Sequence, residues 1–252
     1  MCGPENPGAA SRNDQPRSLQ NLCRQFTRGV SLTRSASGRV LLSMAFNVDL
    51  HVHSLASGDS DAGPEDLVLQ AIETGLHGIA FTEHYSYEAS EPAELLAEKY
   101  KGKIVVLRGT EVSAKDGHCL VFGVDTDRLL SLYMPMAEVV AIVNRHGGVV
   151  IPSHPYRGVN SIGDTLKTMK GICALEGYNG CNAHAFNVRA IETAAALRLP
   201  FTGGSDAHDY MDVGLCYTSF AEPVTRENLV ERLKSGNYRG IDTRKISRFP
   251  FF

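Results

Sequence analysis

The sequence has no apolar run near the ~18 residues that a bilayer-spanning helix needs, and no charged start leading into an apolar core that would mark a secretory leader. It also lacks CxxC spacing. Its six cysteines, Cys2, Cys23, Cys119, Cys173, Cys181 and Cys216, are scattered, several in apolar segments where a reduced, buried thiol is expected. Basic charge is not in excess: 25 Lys and Arg against 28 Asp and Glu give a net charge of -3, and the pI is near 6.3. Stable binding to duplex nucleic acid through phosphate neutralisation is therefore not expected. No internal repeat of fixed period occurs. These absences lead us to expect a cytoplasmic, non-membrane protein, with the oligomeric state left open. What is present is a 252-residue chain, 43% hydrophobic and 21% charged, sufficient for one large core.

Composition breaks near Met44. Residues 1–43 are rich in Gly, Ser, Asn, Gln and Arg, carry six arginines against Glu5 and Asp14, and have apolar periodicity only around Leu19 to Phe26. We expect this stretch not to pack. Three readings compete: a disordered extension, an Arg- and Ser-rich transit peptide, or translated sequence upstream of a start at Met44. The last is favoured, because "MAFNVDLHVHS" begins a strand almost at once. The body, 44–252, holds 19 basic and 26 acidic residues, about -7. Such a charge suits metal cations.

From Phe46 onward short β-rich runs alternate with helix-period stretches, the pattern of βα units around parallel strands. Strands are expected at Phe46 to His53, Gly78 to His84, Lys103 to Ser113, His118 to Asp125, Gly148 to Pro155, Ile172 to Asn179 and Pro200 to His208. "LCYTSF" follows as a further strand. Helices are expected at Pro64 to Gly75, Pro92 to Tyr100, Ala137 to His146, Ile162 to Met169, Ala183 to Leu197, and Thr225 to Ser235 with Thr225 as N-cap. This alternation builds most of a barrel.

In such barrels the chemistry sits at the C-terminal ends of the strands. His51 and His53 end the first strand, and their i, i+2 spacing puts both on one face, able to grip one ion together. His84 ends the second strand, Glu111 lies late in the third, His118 opens the fourth, His154 ends a later one, and Asp206 and His208 follow the last. Asp59 follows the first strand on a loop. A lone HxH pair is weak, and a single His before Pro is commonly a loop residue. Convergence is what counts: six of nine histidines with carboxylates occupy equivalent strand ends, where folding alone would place Val or Ile, and burying so many imidazoles without a shared partner is costly. His77, His146 and His184 fall outside this pattern and read as structural.

Taken in order, "DLHVHS", "AFTEH", "GTEVS", "SHPYR", "LEGYN" and "GSDAH" resemble the motif series of the PHP (polymerase and histidinol phosphatase) family of metal-dependent phosphoesterases, over about residues 46–241. The resemblance implies an α/β fold, a distorted, TIM-like (β/α)7 barrel, with two or three divalent metal ions (Zn, Mn or Fe). It implies that His51, His53, Glu111 and Asp206 hold one ion, that Glu111 bridges to a second held by His118 and His154, and that Asp59, His84 and His208 hold a third. Two departures stand out. Glu83 replaces the usual Asp before His84, and Asp59 occupies a position that is His in some members. Asp61 is a rival ligand on the same loop, and Asp49 is expected to support the histidines without touching metal.

Imidazole with carboxylate suits Zn²⁺, Mn²⁺ or Fe²⁺. Two ions ~3.5–4 Å apart can share a water, lower its pKa toward ~7 and present hydroxide for in-line attack on a phosphate ester. The expected catalytic residues are Asp206, His208 and Arg157, the last able to fork onto a phosphate oxygen. Lys115 and Arg108 are weaker candidates, and Tyr85 is placed at the mouth. The expected substrate is a small phosphorylated compound or a nucleotide or oligonucleotide end. Two rival readings are an amidohydrolase-type metal hydrolase, in which a lysine would normally stand where Glu111 does, and a PHP domain retained for regulation, which would normally have lost ligands.

Overall fold

The computed structural model describes residues 30–34 and 40–244, with side chains from Ala45 onward. The chain divides into two units, Met1–Met44 and Ala45–Phe252. In the first, β1 (Val30–Arg34) and β2 (Val40–Met44) form an antiparallel pair with Val30 opposite Met44 and Arg34 opposite Val40. The remainder of the N-terminal segment read as a non-packing extension lies outside the described residues.

The second unit is a mixed α/β fold. A five-stranded sheet runs β12-β11-β3-β4-β5, where β3 is Phe46–Val52, β4 Gly78–Phe81, β5 Val105–Arg108, β11 Cys216–Phe220 and β12 Tyr238–Asp242. β6 (Thr110–Ala114), β7 (Gly117–Phe122) and β8 (Val149–Pro152) form a second sheet, and β9 (Leu175–Asn179) pairs with β10 (Phe201–Gly204). β3–β4–β5 and β9–β10 are parallel, as the alternation of motifs predicts, but β6–β7–β8 and β3–β11–β12 are antiparallel. The expectation of parallel strands throughout is corrected by the connections: two residues, Lys115 and Asp116, join β6 to β7, too short for a parallel crossover.

Among the described residues, five helices of seven residues or more flank the strands, α1 (Pro64–Glu73), α2 (Pro92–Lys99), α3 (Met136–Arg145), α4 (His184–Leu197) and α5 (Leu229–Ser235), and a single helical turn lies at Thr126–Leu129. In α1 the missing N–H of Pro64 falls where no helix partner exists, and Glu65 and Asp66 oppose the positive end of the dipole. Gly75, at φ 79°, ends the run. Two helix expectations change. The stretch from Ile162 is a 3₁₀ segment, Gly163–Thr168, and Thr225 does not cap α5 directly. Thr225 Oγ1 instead accepts from Asn228 N at 3.3 Å while Asn228 Oδ1 accepts from Thr225 N at 2.7 Å, closing a turn before the helix begins.

β4 and β8 are buried along their whole length, which accounts for their near-continuous apolar sequence. Val48, Leu50, Leu107, Leu120, Phe122, Ile151 and Leu233 pack as one cluster, and Val52, Leu67, Ile79 and Phe81 as another. The thiols of Cys119 and Cys216 are free and buried. Among the described residues no helix is long and apolar enough to cross a membrane.

Candidate metal centre

The two faces of β3 carry different chemistry. Val48, Leu50 and Val52 enter the apolar clusters, while Asp49, His51 and His53 are buried on the other face. Beyond β10 the chain passes through Ser205 into Asp206, whose N–H donates to the His51 carbonyl at 2.7 Å. Asp206 holds a φ of 56° and His154 one of 30°, left-handed conformations that non-glycine side chains adopt at a cost of about 1–3 kcal/mol. Both strained residues belong to the cluster.

Several imidazoles are oriented from behind. His51 Nδ1 lies 2.8 Å from Glu176 Oε1, so Nδ1 carries a proton and Nε2 is the nitrogen turned toward Glu111 and Asp206. The Ser57 hydroxyl donates to Glu83 Oε2 at 2.5 Å, which leaves its oxygen to accept from His53 Nδ1 at 3.1 Å and from His84 N at 3.0 Å. Glu83 thus acts on both His53 and His84 through Ser57. His208 Nδ1 donates to the Asp206 carbonyl at 2.9 Å. His118 is turned the opposite way, with Nε2 on Ser113 Oγ at 3.2 Å and Nδ1 facing inward.

Glu111 stands at the centre, its carboxylate within 3.5 Å of five imidazoles. Oε1 is 3.3 Å from His51 Nε2 and 2.9 Å from His154 Nε2, and it accepts the Ser153 hydroxyl at 2.6 Å. Oε2 is 3.5 Å from His53 Nε2, 3.2 Å from His84 Nδ1 and 3.5 Å from His118 Nδ1. Asp206 Oδ1 lies 3.3 Å from both His51 Nε2 and His53 Nε2. Ligand atoms about 2.0–2.1 Å from a tetrahedral ion lie about 3.3 Å from one another, so His51, His53, Glu111 and Asp206 are spaced for a single cation. His84, Glu111 and His118 form a second grouping and His53, His84 and His208 a third. Asp59 Oδ2 joins the last, 3.1 Å from His84 Nε2 and 3.4 Å from His208 Nε2.

Four buried nitrogens, His51 Nε2, His53 Nε2, His84 Nδ1 and His154 Nδ1, have no hydrogen-bond partner among the described residues. Unpartnered buried polar atoms are rare and costly; a fifth, Asn47 Oδ1, lies elsewhere, but His51 Nε2, His53 Nε2 and His84 Nδ1 all face Glu111, where a cation would satisfy them. Charge points the same way. Burial by itself would lower the pKa of His51, but Asp206, Glu176 and Glu111 outweigh it and hold the imidazole well above its usual range. Burial would raise Glu111, yet His51 and His154 keep its carboxyl well below the ordinary value; Asp206, buried beside His51 and His53, is likewise held low. Around His51 the pocket favours positive charge, as proton or as metal, whereas burial pushes His84 down to about 4 and keeps its imidazole neutral, the form a metal ligand needs.

All nine residues read from the sequence as ligands thus face one pocket. On the loop after β3 it is Asp59, not its rival Asp61, whose carboxylate meets the imidazoles. Asp49 touches none of them; its carboxylate accepts from the N–H groups of His51, Ser205 and Gly214 and so ties β3 to the chain after β10. Arg157 is placed beside the cluster, but the fork expected to take phosphate is already engaged. Nη2 donates to Asp206 Oδ2 and to Asn179 Oδ1 at 3.0 Å, and Nε donates to Asn182 Oδ1 at 2.9 Å. Only Nη1 has no partner among the described residues. Arg108 lies elsewhere, bonded to Ser90, Glu94 and the Tyr87 carbonyl. Tyr85 is exposed with its ring 5.4 Å from that of His84. His77 accepts from Asn47 N at 3.1 Å and packs its ring, tilted by 35°, against Phe46.

Glu176 was not singled out from the sequence. It is buried, orients His51, and accepts the His154 N–H at 2.7 Å through Oε2. The signal was a carboxylate inside the otherwise apolar strand "CALEGYN", where an unpaired charge cannot remain buried.

A family model described as "PHP domain" matches residues 49–151, and one described as "PHP-associated" matches 184–238, together more than half of the chain. The chain belongs to the PHP family. Its fold resembles a protein provisionally designated a metal-dependent phosphoesterase from Bifidobacterium adolescentis (TM-score 0.56, 21% identity, 78% of this chain and 97% of that one). It also resembles the lesion-specific endonuclease PfuEndoQ from Pyrococcus furiosus (0.62, 18%, 78% and 58%). A third similar structure is an amidohydrolase from Chromobacterium violaceum with bound sulfate (0.55, 18%, 75% and 96%). No curated protein matches the sequence.

Proposed function

We propose that the protein is a metal-dependent phosphoesterase, with His51, His53, Asp59, His84, Glu111, His118, His154, Asp206 and His208 holding two or three divalent ions. The observation that carries this reading is the Glu111 carboxylate ringed by five imidazoles, several with a nitrogen free of any hydrogen bond. Paired divalent ions supply an acidified water and charge neutralisation for a transferring phosphoryl group. The chain's own residues contribute the rest. Glu176, Ser57 and Ser113 fix which imidazole nitrogens face inward. Arg157, held by Asp206, Asn179 and Asn182, keeps Nη1 for a substrate phosphate oxygen. Tyr85 lines the mouth, where a small ester or a nucleotide end enters.

We also infer a distorted seven-stranded barrel. Supporting it are links between the separate sheets: His84 bridges to Glu111, Val52 to Ala207, and Cys173 N donates to the Val150 carbonyl at 3.3 Å.

The test is to strip the protein with chelator, resupply Mn²⁺, Zn²⁺ or Fe²⁺ singly, and assay a phosphomonoester, a phosphodiester and a lactam. Metal-restored phosphoester hydrolysis is expected, abolished in His154→Ala while the circular dichroism spectrum is kept. Lactam hydrolysis with phosphoesters spared, or unchanged turnover in His154→Ala, would overturn the assignment.

A further inference from the structure

Asn179 closes β9 at the edge of the pocket and is fully buried. Its side-chain amide makes four hydrogen bonds, divided by chemistry. Nδ2 donates to Glu176 Oε2 at 2.9 Å and to Asp206 Oδ2 at 3.1 Å. Oδ1 accepts from Arg157 Nη2 at 3.0 Å and from Cys181 N at 3.0 Å. The opposite amide orientation would set oxygen against two carboxylates and NH₂ against a guanidinium, so only this one fits. Asn187, on α4, fastens the backbone of Asn179 from both sides: its Oδ1 accepts from Asn179 N at 3.3 Å and its Nδ2 donates to the Asn179 carbonyl at 3.0 Å.

Both carboxylates that Asn179 holds present their other oxygen to the histidines. Glu176 meets His51 through Oε1, and Asp206 meets His51 and His53 through Oδ1. Asn179 takes the outer oxygen of each, and Arg157 shares Oδ2 of Asp206. A carboxylate with one oxygen held in this way has a single oxygen left for a cation.

We propose that Asn179 is a positioning residue that restricts Asp206 to one-oxygen coordination and, through Glu176, sets the ring orientation of His51. This rests on the metal-centre reading above. One side chain from outside the ligand set then governs two ligands contributed by segments 155 residues apart in the sequence, His51 and Asp206.

The test uses the full chain, stripped by chelator and titrated with Co²⁺ while its visible absorption is followed. Asn179→Asp keeps the shape and the Oδ1 acceptor but turns an oxygen toward Glu176 and Asp206; Asn179→Ala removes both donors without adding charge. Each is expected to weaken Co²⁺ binding by about 10- to 100-fold and to change the band shape at saturation. A folded variant that melts earlier without metal, yet matches wild type in Co²⁺ affinity and spectrum, would make Asn179 merely structural and overturn the proposal. If the Asp variant does not fold, the Ala variant decides by the same criteria. Wild-type protein that takes up no Co²⁺ would overturn the metal-centre reading and this inference with it, whereas normal wild-type uptake with unchanged variants would overturn this inference alone.

Discussion

Glu176 Oε1 sits 2.8 Å from His51 Nδ1, both side chains buried, and the negative charge there does two things: it fixes the tautomer and raises the basicity of Nε2. Glu176→Gln keeps the size but removes the charge, and its single amide oxygen cannot accept from both His51 Nδ1 and the pair, His154 N–H and Asn179 amide, that now donates to Oε2. We expect metal affinity to fall about 10- to 100-fold, measured by competition with a chromogenic chelator. Retention of wild-type affinity would remove Glu176 from the site's support. At this scale the nine residues that meet at the pocket were legible in the sequence because imidazole and carboxylate are the wrong residue types for strand ends. Glu176 was not, since its role depends on which atom of a distant strand lies opposite it. The engagement of Arg157 was hidden for the same reason.

Gly204 lets β10 approach β3. A Cβ built there would lie 2.5 Å from His51 Cβ and 3.0 Å from Glu176 Oε1, so Gly204→Ala must push His51 off its place. Loss of metal binding with the secondary structure retained is expected, and a variant with full metal content would contradict that contact. Gly109 plays a different part. It is the single residue between β5 and β6, and a Cβ there would lie 2.6 Å from the Phe122 ring and 2.9 Å from the Val121 carbonyl. Gly109→Ala should overpack this corner and lower stability in urea unfolding by about 1–3 kcal/mol. "KIVVLRGTEVS" reads as one strand because β-branched residues stand on both sides of Gly109, Ile104, Val105 and Val106 before it and Thr110 and Val112 after, and only the packing of Phe122 makes that glycine a corner. β12 escaped notice because "YRGID" has little apolar alternation, its place being set by pairing with β11.

Across the whole molecule, the pocket gathers the buried Glu111, Glu176 and Asp206, with the exposed Asp59 at its edge, within an acidic body, and a chain that must bury three carboxylates gains stability from whatever cation neutralises them. Chelation should lower the melting temperature, and each resupplied ion should restore it in a concentration-dependent way, by about 2.7 kcal/mol at 100 times its Kd. A melting temperature indifferent to chelator and metal would contradict a centre built into the fold. Acid should have the same effect as chelator. Imidazole must be deprotonated to bind, and because Asp206, Glu176 and Glu111 hold His51 well above its usual range, protons compete with metal there and affinity is expected to fall as pH is lowered, as equilibrium dialysis would measure.

By itself the sequence determined the chemistry available and most of the elements that carry it, because residue type and period 2 or 3.6 are local properties of the chain. Tertiary structure alone decided which oxygen of Glu111 faces which imidazole, that Asp59 and not Asp61 meets His84 and His208, that β6 to β8 run antiparallel, and that Arg157 is bound to Asp206. Those outcomes depend on contacts between segments far apart in the chain, at distances of a few ångströms that no spacing along the sequence encodes.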